Sequence, residues 1–342
     1  MTGRKSFALL RAAVPKPKIK GKKDQMQTTA GAIASTVRSF TTITASVLLG
    51  ALSCGCMAGP EIESEEEMVG EAQDALTDWN FFTRTTATNL TGLTIANASL
   101  ETCFLSGVAG NLNEGDELGG VASHPSVARV SIVSGNYQLF AHGGAFTNQV
   151  NDPVFSNNSI KANATCIPVT AGRTNGSWTS LDTPHRITDL GTSLRQCFLS
   201  GVSGVSGVWN SATNFVRVVK VTTTDATHPM TGWYIEGNLP ENPGGSDGSA
   251  SAVCLDFPTG TEFVSGERTS TTEGGSTTTF IGIGLGATVK KGCGLTEIKG
   301  AFNVNSTADG ILITPPTAAE GEASAWHMTV SNPKIGKWTC AQ

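Results

Sequence analysis

One short stretch occurs three times in this chain and constrains its fold more than any other feature. The pattern is Cys-x-Leu-Ser/Thr-x-Val/Ile-x-Gly, and its copies start 94 and 96 residues apart, at Cys103, Cys197 and Cys293. Each copy is followed by an alternating apolar run, shorter in the third copy, then by an aromatic-x-aliphatic triplet and a second cysteine. Self-similarity at a near-constant period indicates that the C-terminal three quarters of the chain is a triplication.

The body of the chain, from Trp79 onward, has the patterning of an all-β protein. Short alternating segments such as Val216 to Val221 are separated by clusters of Gly, Asn, Asp and Pro, and no run keeps helical apolar spacing. We therefore predict three β repeats, at residues 79–170, 171–262 and 263–342. Each is close to the size of a small β-sandwich or barrel.

The repeats could be arranged in two ways. They could form three small disulfide-stapled modules in tandem, or they could close around one pseudo-threefold axis as a single β domain. Tandem modules are favoured, because each copy carries its own cysteine pair and its own aromatic core residue. These aromatic residues are Tyr137, Trp233 and Trp326.

The cysteines predict both a pairing and a compartment. Six of the eight cysteines lie in the repeats, one at the start and one near the end of each. Six cysteines allow 15 pairings, but the triplication selects one, in which each opening cysteine bonds the closing cysteine of its own repeat. The predicted bridges are Cys103–Cys166, Cys197–Cys254 and Cys293–Cys340. Disulfides indicate an oxidising compartment outside the cytosol.

The N-terminal segment, residues 1–56, has the layout of an export signal. A basic region ends at Arg38, a stretch of 13 uncharged residues runs from Phe40 to Leu52, and small residues lead to Cys54. The run from Leu48 to Cys54 resembles the lipobox of bacterial lipoprotein precursors. That resemblance implies that Cys54, or alternatively Cys56, is acylated and becomes the mature N-terminus. A plain cleaved signal is the alternative.

Residues 57–78 form a strongly acidic segment that we expect to be a solvated tether. From Glu61 to Asp78 there are eight acids and no base, which is too much like charge and too little apolar surface for independent folding. A pro-segment is an equivalent interpretation, and an acidic tail that binds a partner is the alternative. If the lipid anchor is present, the tether holds the β repeats away from a membrane, and more than one acyl chain is needed for stable anchoring.

No motif in the chain predicts an enzyme, a metal site or a nucleic-acid interface. The stretches Gly244 to Gly248 and Gly282 to Ala287 match loose hydrolase and dinucleotide patterns, but neither has the required strand and helix around it. The five histidines lack ligand spacing. The loop from Asn111 to Glu117 concentrates oxygen atoms that calcium could use, although the EF-hand order is absent. An acidic body disfavours nucleic acid.

Two tryptophans are candidates for ligand contact. Trp178 and Trp209 lie in polar, turn-like contexts, where an exposed indole would suit a carbohydrate or protein ligand. A ring that caps the edge of the core is the competing interpretation. From the sequence we therefore expect an exported, lipid-anchored protein of the outer membrane or cell surface, with a non-enzymatic binding or adhesion role and no cofactor. A secreted hydrolase or inhibitor with its site between repeats is the alternative.

Overall fold

Every regular element in the described part of the chain is a β-strand. The structure is a computed structural model, and it describes residues 79–85, 91–113, 123–147, 153–155, 159–205, 207–241, 248–270, 275–282, 292–317, 325–331 and 333–342. These residues belong to one compact unit, Glu67–Gln342. The all-β prediction is therefore confirmed.

Within the described residues, nine strands belong to the first repeat, six to the second and six to the third. The first repeat contains β1 (Asn80–Thr85), β2 (Leu93–Asn97), β3 (Thr102–Gly110), β4 (Ser123–His124), β5 (Ser126–Val133), β6 (Asn136–His142), β7 (Ala145–Thr147), β8 (Pro153–Phe155) and β9 (Ile160–Ile167). The second contains β10 (Thr174–Thr179), β11 (His185–Thr188), β12 (Arg195–Gly204), β13 (Phe215–Val221), β14 (Gly232–Asn238) and β15 (Ser249–Asp256). The third contains β16 (Phe263–Thr269), β17 (Ser276–Ile281), β18 (Gly292–Lys299), β19 (Gly310–Thr314), β20 (Trp326–Ser331) and β21 (Ile335–Ala341).

The strands form three six-stranded sheets, and each sheet takes three strands from one repeat and three from the repeat before it. We name them sheet A (β1-β9-β3-β19-β20-β17), sheet B (β10-β15-β12-β5-β6-β2) and sheet C (β11-β14-β13-β18-β21-β16). A small three-stranded sheet, β4-β7-β8, accompanies them. Because β3 of the first repeat pairs with β19 of the third, the cycle of repeats is closed.

This topology is the single pseudo-threefold domain, and the favoured arrangement of tandem modules is wrong. The physical reason is that the opening strand of each repeat would have one unpaired edge in a separate module. In a free-standing module, β3, β12 and β18 would each expose one row of unpaired backbone groups. Here each of them pairs on one side with the closing strand of its own repeat and on the other with the middle strand of the preceding repeat. The aromatic residues of the repeated triplets, Tyr137, Trp233 and Trp326, are buried in the common core.

The recurring sequence pattern encodes a bulged strand that carries a disulfide. In β3, β12 and β18 the register with the closing strand shifts at the Ser/Thr of the pattern, which is Ser106, Ser200 or Thr296. The two cysteines of each repeat lie directly opposite each other, with Cα atoms 4.0 Å apart, and all three predicted bridges are present. The cysteine pairing derived from the triplication is therefore confirmed.

The position after the opening cysteine brings the three repeats together on the axis. Phe104 and Phe198 occupy this position in the first two repeats, and their rings are stacked with centroids 4.1 Å apart. The third repeat has Gly294 there. A Cβ atom on Gly294 would lie 2.5 Å from the Phe104 ring and 2.7 Å from the Phe198 ring. The glycine therefore leaves the room that the two rings fill.

At the other end of the opening strands, three backbone segments hydrogen bond in a cycle. The Leu112 amide donates to the Phe302 carbonyl at 2.8 Å, and the Phe302 amide donates to the Trp209 carbonyl at 2.9 Å. The Trp209 amide completes the cycle by donating to Asn113 Oδ1 at 2.9 Å. Each repeat thus supplies one segment, and the three repeats are in contact at both ends of their opening strands.

Candidate functional site

The two tryptophans proposed for ligand contact are buried in the core. Trp178 is 2% exposed, and its Nε1 donates to the Asp182 carbonyl at 3.0 Å. Trp209 is fully buried, its Nε1 donates to the Ser203 carbonyl at 3.1 Å, and its ring meets Phe302 edge-on. Neither indole is available to a ligand in this structure. Both rings belong to the hydrophobic core, which is closer to the competing interpretation, a ring that caps the edge of the core. The polar residues near them in sequence supply hydrogen-bond acceptors and do not make the rings exposed.

Several sequence predictions fall outside the described residues. These are the acylation sites Cys54 and Cys56, the acidic tether, most of both glycine-rich motifs, and three oxygen ligands of the calcium loop, Glu114, Asp116 and Glu117. Of the candidate oxygen ligands in that loop the structure describes Asn111 and Asn113. Both are occupied by the fold, since the Asn113 amide donates to Asn111 Oδ1 and Asn113 Oδ1 accepts from Trp209.

A difference between equivalent hairpins marks the candidate site. In the first repeat, β5 and β6 are joined by two residues, Ser134 and Gly135, after the pair Val133–Asn136. In the second repeat, the equivalent pair Val221–Gly232 is followed outward by ten residues, 222–231. In the third repeat the equivalent pair Thr314–His327 is also followed by a long connection, residues 315–326. The first repeat shows that the strands themselves can be joined by a two-residue turn at this point. The longer connection, which we call loop 222–231, therefore has a purpose other than joining the strands.

Loop 222–231 is held in one conformation by its own polar residues. Asp225 Oδ1 accepts from the backbone amides of Thr227 at 2.8 Å and His228 at 2.6 Å. The Tyr234 hydroxyl donates to the Met230 carbonyl at 2.8 Å. His228 Nε2 lies 2.9 Å from Glu236 Oε2, which fastens the loop to β14. The loop is thus pre-organised by contacts within it and to the strand that follows it.

His228 lies between two carboxylates. Its Nδ1 is 3.3 Å from Asp225 Oδ1, and its Nε2 contacts Glu236. Because carboxylates only accept hydrogen bonds, both contacts are satisfied when both ring nitrogens carry protons. Burial lowers the pKa of His228, but the hydrogen bonds to Glu236 and Asp225 outweigh burial, and the pKa is raised. The backbone hydrogen bond from His228 is the main reason why the pKa of Asp225 is lowered.

A cavity of about 560 Å³ lies between loop 222–231 and the segment that leads into β11. This volume is in the range of small-molecule sites. Its lining is mostly apolar and comprises Thr183, Pro184, Arg186, Ala226, Thr227, Pro229, Met230 and Tyr234. The loop supplies four of these residues, so the cavity exists because the loop is long.

Arg186 is the one charged side chain among those lining residues. Its Nε donates to the Thr231 carbonyl at 3.0 Å, and the guanidinium lies over Gly232, where a Cβ atom would be 2.7 Å from Nε. Within the described residues no carboxylate pairs with Arg186. The guanidinium is therefore oriented by the backbone, while its terminal nitrogens have no anionic partner in the part of the chain that the structure describes.

A row of alternating charges crosses sheet C and ends at the same loop. Residues directly opposite one another on neighbouring strands form this row, which we call the charged row: Glu267, Lys337, Glu297, Arg217 and Glu236. Lys337 Nζ is 2.8 Å from Glu297 and 3.5 Å from Glu267, and Arg217 Nε donates to Glu236 at 2.6 Å. The hydrogen bond to Glu297 is the main reason why the pKa of Lys337 is raised.

The equivalent rows of the other two sheets are almost uncharged. In sheet B the row reads Ser177, Ser251, Gly201, Arg129 and Phe140. In sheet A it reads Thr83, Asn163, Gly107, Leu312 and Thr329. The backbone register is the same in all three sheets, so the charged row is a difference in side chains on a common frame. It places one clear difference between the repeats next to loop 222–231, through the contact of Glu236 with His228.

In this region both ring nitrogens of His228 are used by the fold. His228 has both ring nitrogens against carboxylates, and in the described part of the chain no serine, threonine or cysteine side chain hydrogen bonds to it. A histidine general base needs one free nitrogen to take the proton of a nucleophile. Nor do the described residues contain a cluster of three or more His, Cys, Asp or Glu that could hold a metal ion.

Comparisons with known proteins give no family for this chain. No protein-family model matches it, and no curated protein matches it. Among the residues described, there is no helix of the length and hydropathy that crossing a membrane requires.

The sequence contains a signal for this site that lies in the spacing of the repeats. From the end of the alternating run to the aromatic triplet, the first repeat runs from Val133 to Tyr137 and the second from Val221 to Trp233. The extra residues in the second repeat are those of loop 222–231. The cavity and the charged row depend on which residues face each other across strands, and this register is visible only once the strands are paired.

Proposed function

We propose that this chain is an exported, lipid-anchored protein that binds a ligand at the cell surface through loop 222–231 and the cavity beside it. One observation carries this proposal. A hairpin that the first repeat closes with two residues is closed in the second by ten, and these ten residues are fixed by their own hydrogen bonds and bound a cavity. Loops that a rigid β frame holds in place are common sites of recognition.

The compartment is supported by the disulfides. Three bridges in one chain are compatible with an extracytoplasmic protein, because the cytosol keeps thiols reduced. The export signal and the lipobox-like run before Cys54 supply the remaining support. In this proposal an acyl anchor on Cys54 or Cys56 and the acidic tether present the closed β domain at the outer membrane or cell surface.

The ligand contacts proposed from the sequence need revision. A carbohydrate or protein ligand was expected because Trp178 and Trp209 were candidates for exposure, and both are buried. The cavity beside loop 222–231 instead suits a small molecule by its volume. The hydrolase alternative has no supporting observation, since His228 has no nucleophile hydrogen bonded to it within the described residues.

A fragment screen by nuclear magnetic resonance tests this function on the purified protein. We expect bound fragments to shift the amide signals of residues 183–186 and 226–234. A competing cavity of about 320 Å³ next to β12 and β15, lined in part by Ser200 and Ser251, serves as the internal comparison. Binding confined to that second cavity, or no binding anywhere, would contradict the proposal.

A further inference from the structure

The charge balance of the cavity beside loop 222–231 indicates the class of its ligand, given the binding role proposed above. Five of its eight lining residues are apolar or aromatic. An apolar lining of this kind accommodates an aliphatic or aromatic body. Among these eight described lining residues one carries a charge, the positive Arg186.

The nearby carboxylates do not neutralise Arg186. Asp225 is bonded to His228 and to two backbone amides of its own loop. Glu236 is bonded to Arg217 and His228. Asp182, which precedes the cavity in sequence, bonds the amide and hydroxyl of Thr179. Each acid near the site thus already has its own partners.

The position of the guanidinium is fixed by the backbone. Its Nε is used by the Thr231 carbonyl, and Gly232 provides the space in which it lies. A guanidinium held through Nε still offers hydrogen-bond donors on its terminal nitrogens, in the planar arrangement that matches a carboxylate. An oriented cation without an anion, at the wall of an apolar cavity, is complementary to an apolar acid.

We propose that the cavity bounded by loop 222–231 binds small carboxylates with an apolar body, and that Arg186 holds the carboxylate. The apolar part lies against Pro184, Pro229, Met230 and Tyr234. The hydroxyls of Thr183 and Thr227 are available to the second face of the carboxylate or to a polar substituent. The charged row, which is internally paired, fixes the loop and does not contact the ligand.

Two matched probes test the role of the charge. The purified protein is titrated with 3-phenylpropionate and, separately, with 3-phenylpropionamide, which has the same shape without the charge. A hydrogen-bonded charge is worth about tenfold or more in affinity, so we expect the acid to bind at least about tenfold more tightly than the amide. Equal affinity for the two probes would overturn the proposal.

Two arginine variants make the test specific to the site. Arg186→Gln should remove the preference for the acid, and Arg186→Lys should retain part of it, because a lysine keeps the charge without the planar fork. Arg268→Gln is the matched control, since Arg268 is an exposed arginine of β16 that lines no described cavity. It should leave both affinities unchanged. Loss of the preference in Arg268→Gln, or its persistence in Arg186→Gln, would overturn the assignment.

A third probe separates a small acid from the end of a protein chain. If a tripeptide ending in phenylalanine binds and 3-phenylpropionate does not, the cavity recognises C-terminal carboxylates and the proposal is wrong. If neutral fragments occupy the cavity and no acid does, the ligand class is wrong while the proposed binding function stands. If nothing occupies the cavity, both fail.

Discussion

Removing the Cys197–Cys254 disulfide should destabilise all three repeats together. The bridge closes 57 residues, and the chain-entropy relation gives about 4 kcal/mol for a loop of this length. In a set of independent modules that loss would fall on the second repeat alone. In the closed domain, the second repeat supplies β12 to sheet B beside β5, and β13 to sheet C beside β18.

The coupling between repeats can be estimated from the contacts on the axis. If the second repeat alone unfolded, Phe104 would lose the stacked Phe198, and Phe302 would lose Trp209. Loss of a large buried aromatic side chain costs about 3–5 kcal/mol. Two such losses, added to two newly exposed strand edges, are comparable to a typical net stability of about 5–15 kcal/mol. A species with one repeat unfolded and two intact is therefore not expected to be populated.

Amide hydrogen exchange followed by mass spectrometry is the assay. In the Cys197→Ala/Cys254→Ala variant, peptides from β3, β12 and β18 should lose protection to a similar extent. The Cys103→Ala/Cys166→Ala variant is the matched comparison and should give the same profile, since its bridge closes 63 residues. Loss of protection confined to residues 171–262 in the first variant, and to residues 79–170 in the second, would refute the closed domain.

Three further predictions concern separate parts of the chain. Mass spectrometry of the exported protein should show a mature N-terminus at Cys54 or Cys56 with an added acyl mass; an intact N-terminus in a cytosolic protein would refute export. Gly294→Ala should lower the free energy of unfolding by about 1–3 kcal/mol, because the added methyl group overpacks the site. In the double variant Gly294→Ala/Phe198→Leu part of this loss should be recovered. If denaturant unfolding showed that the effects of the two substitutions simply add, the contact between residues 294 and 198 would be refuted. His228→Gln should lower the free energy of unfolding more at pH 5.5 than at pH 8.5. Because the pKa of His228 is raised in the folded protein, its stabilising effect is complete below the unfolded pKa of about 6.5 and is lost as the pH rises through the folded pKa. An equal loss at both pH values would exclude the ion pair with Glu236.

The sequence predicted the local structure of each repeat well. Alternation and turn residues identified β-structure, and the triplication selected one disulfide pairing out of 15. The prediction of β-structure depends on the pattern within short segments, and the disulfide pairing depends on the equivalence of the three repeats. Equivalence also placed Tyr137, Trp233 and Trp326 in the core, where the structure has them.

The arrangement of the repeats was not predicted, because it depends on pairing between distant strands. The alternating run of one repeat could pair within that repeat or with the opening strand of the next, and the pattern of a single strand is the same in both cases. The prediction that Trp178 and Trp209 are exposed was wrong for a related reason. Trp209 has polar neighbours in sequence, but its ring packs on Phe302, 93 residues away. Long-range contacts of this kind leave no trace in local composition.

The most direct test of this account is a loop transplant. Residues 222–231 are replaced by the Ser-Gly turn that joins the equivalent strands of the first repeat, which restores the short hairpin between Val221 and Gly232. Shortening a ten-residue loop to two gains about 1.4 kcal/mol of closure entropy, which offsets the lost contacts of His228 and Tyr234. We predict a folded protein with a thermal midpoint within a few degrees of the parent and no binding of 3-phenylpropionate. Unfolding of the transplant would show that the loop serves the fold, and retained binding would show that the site lies elsewhere.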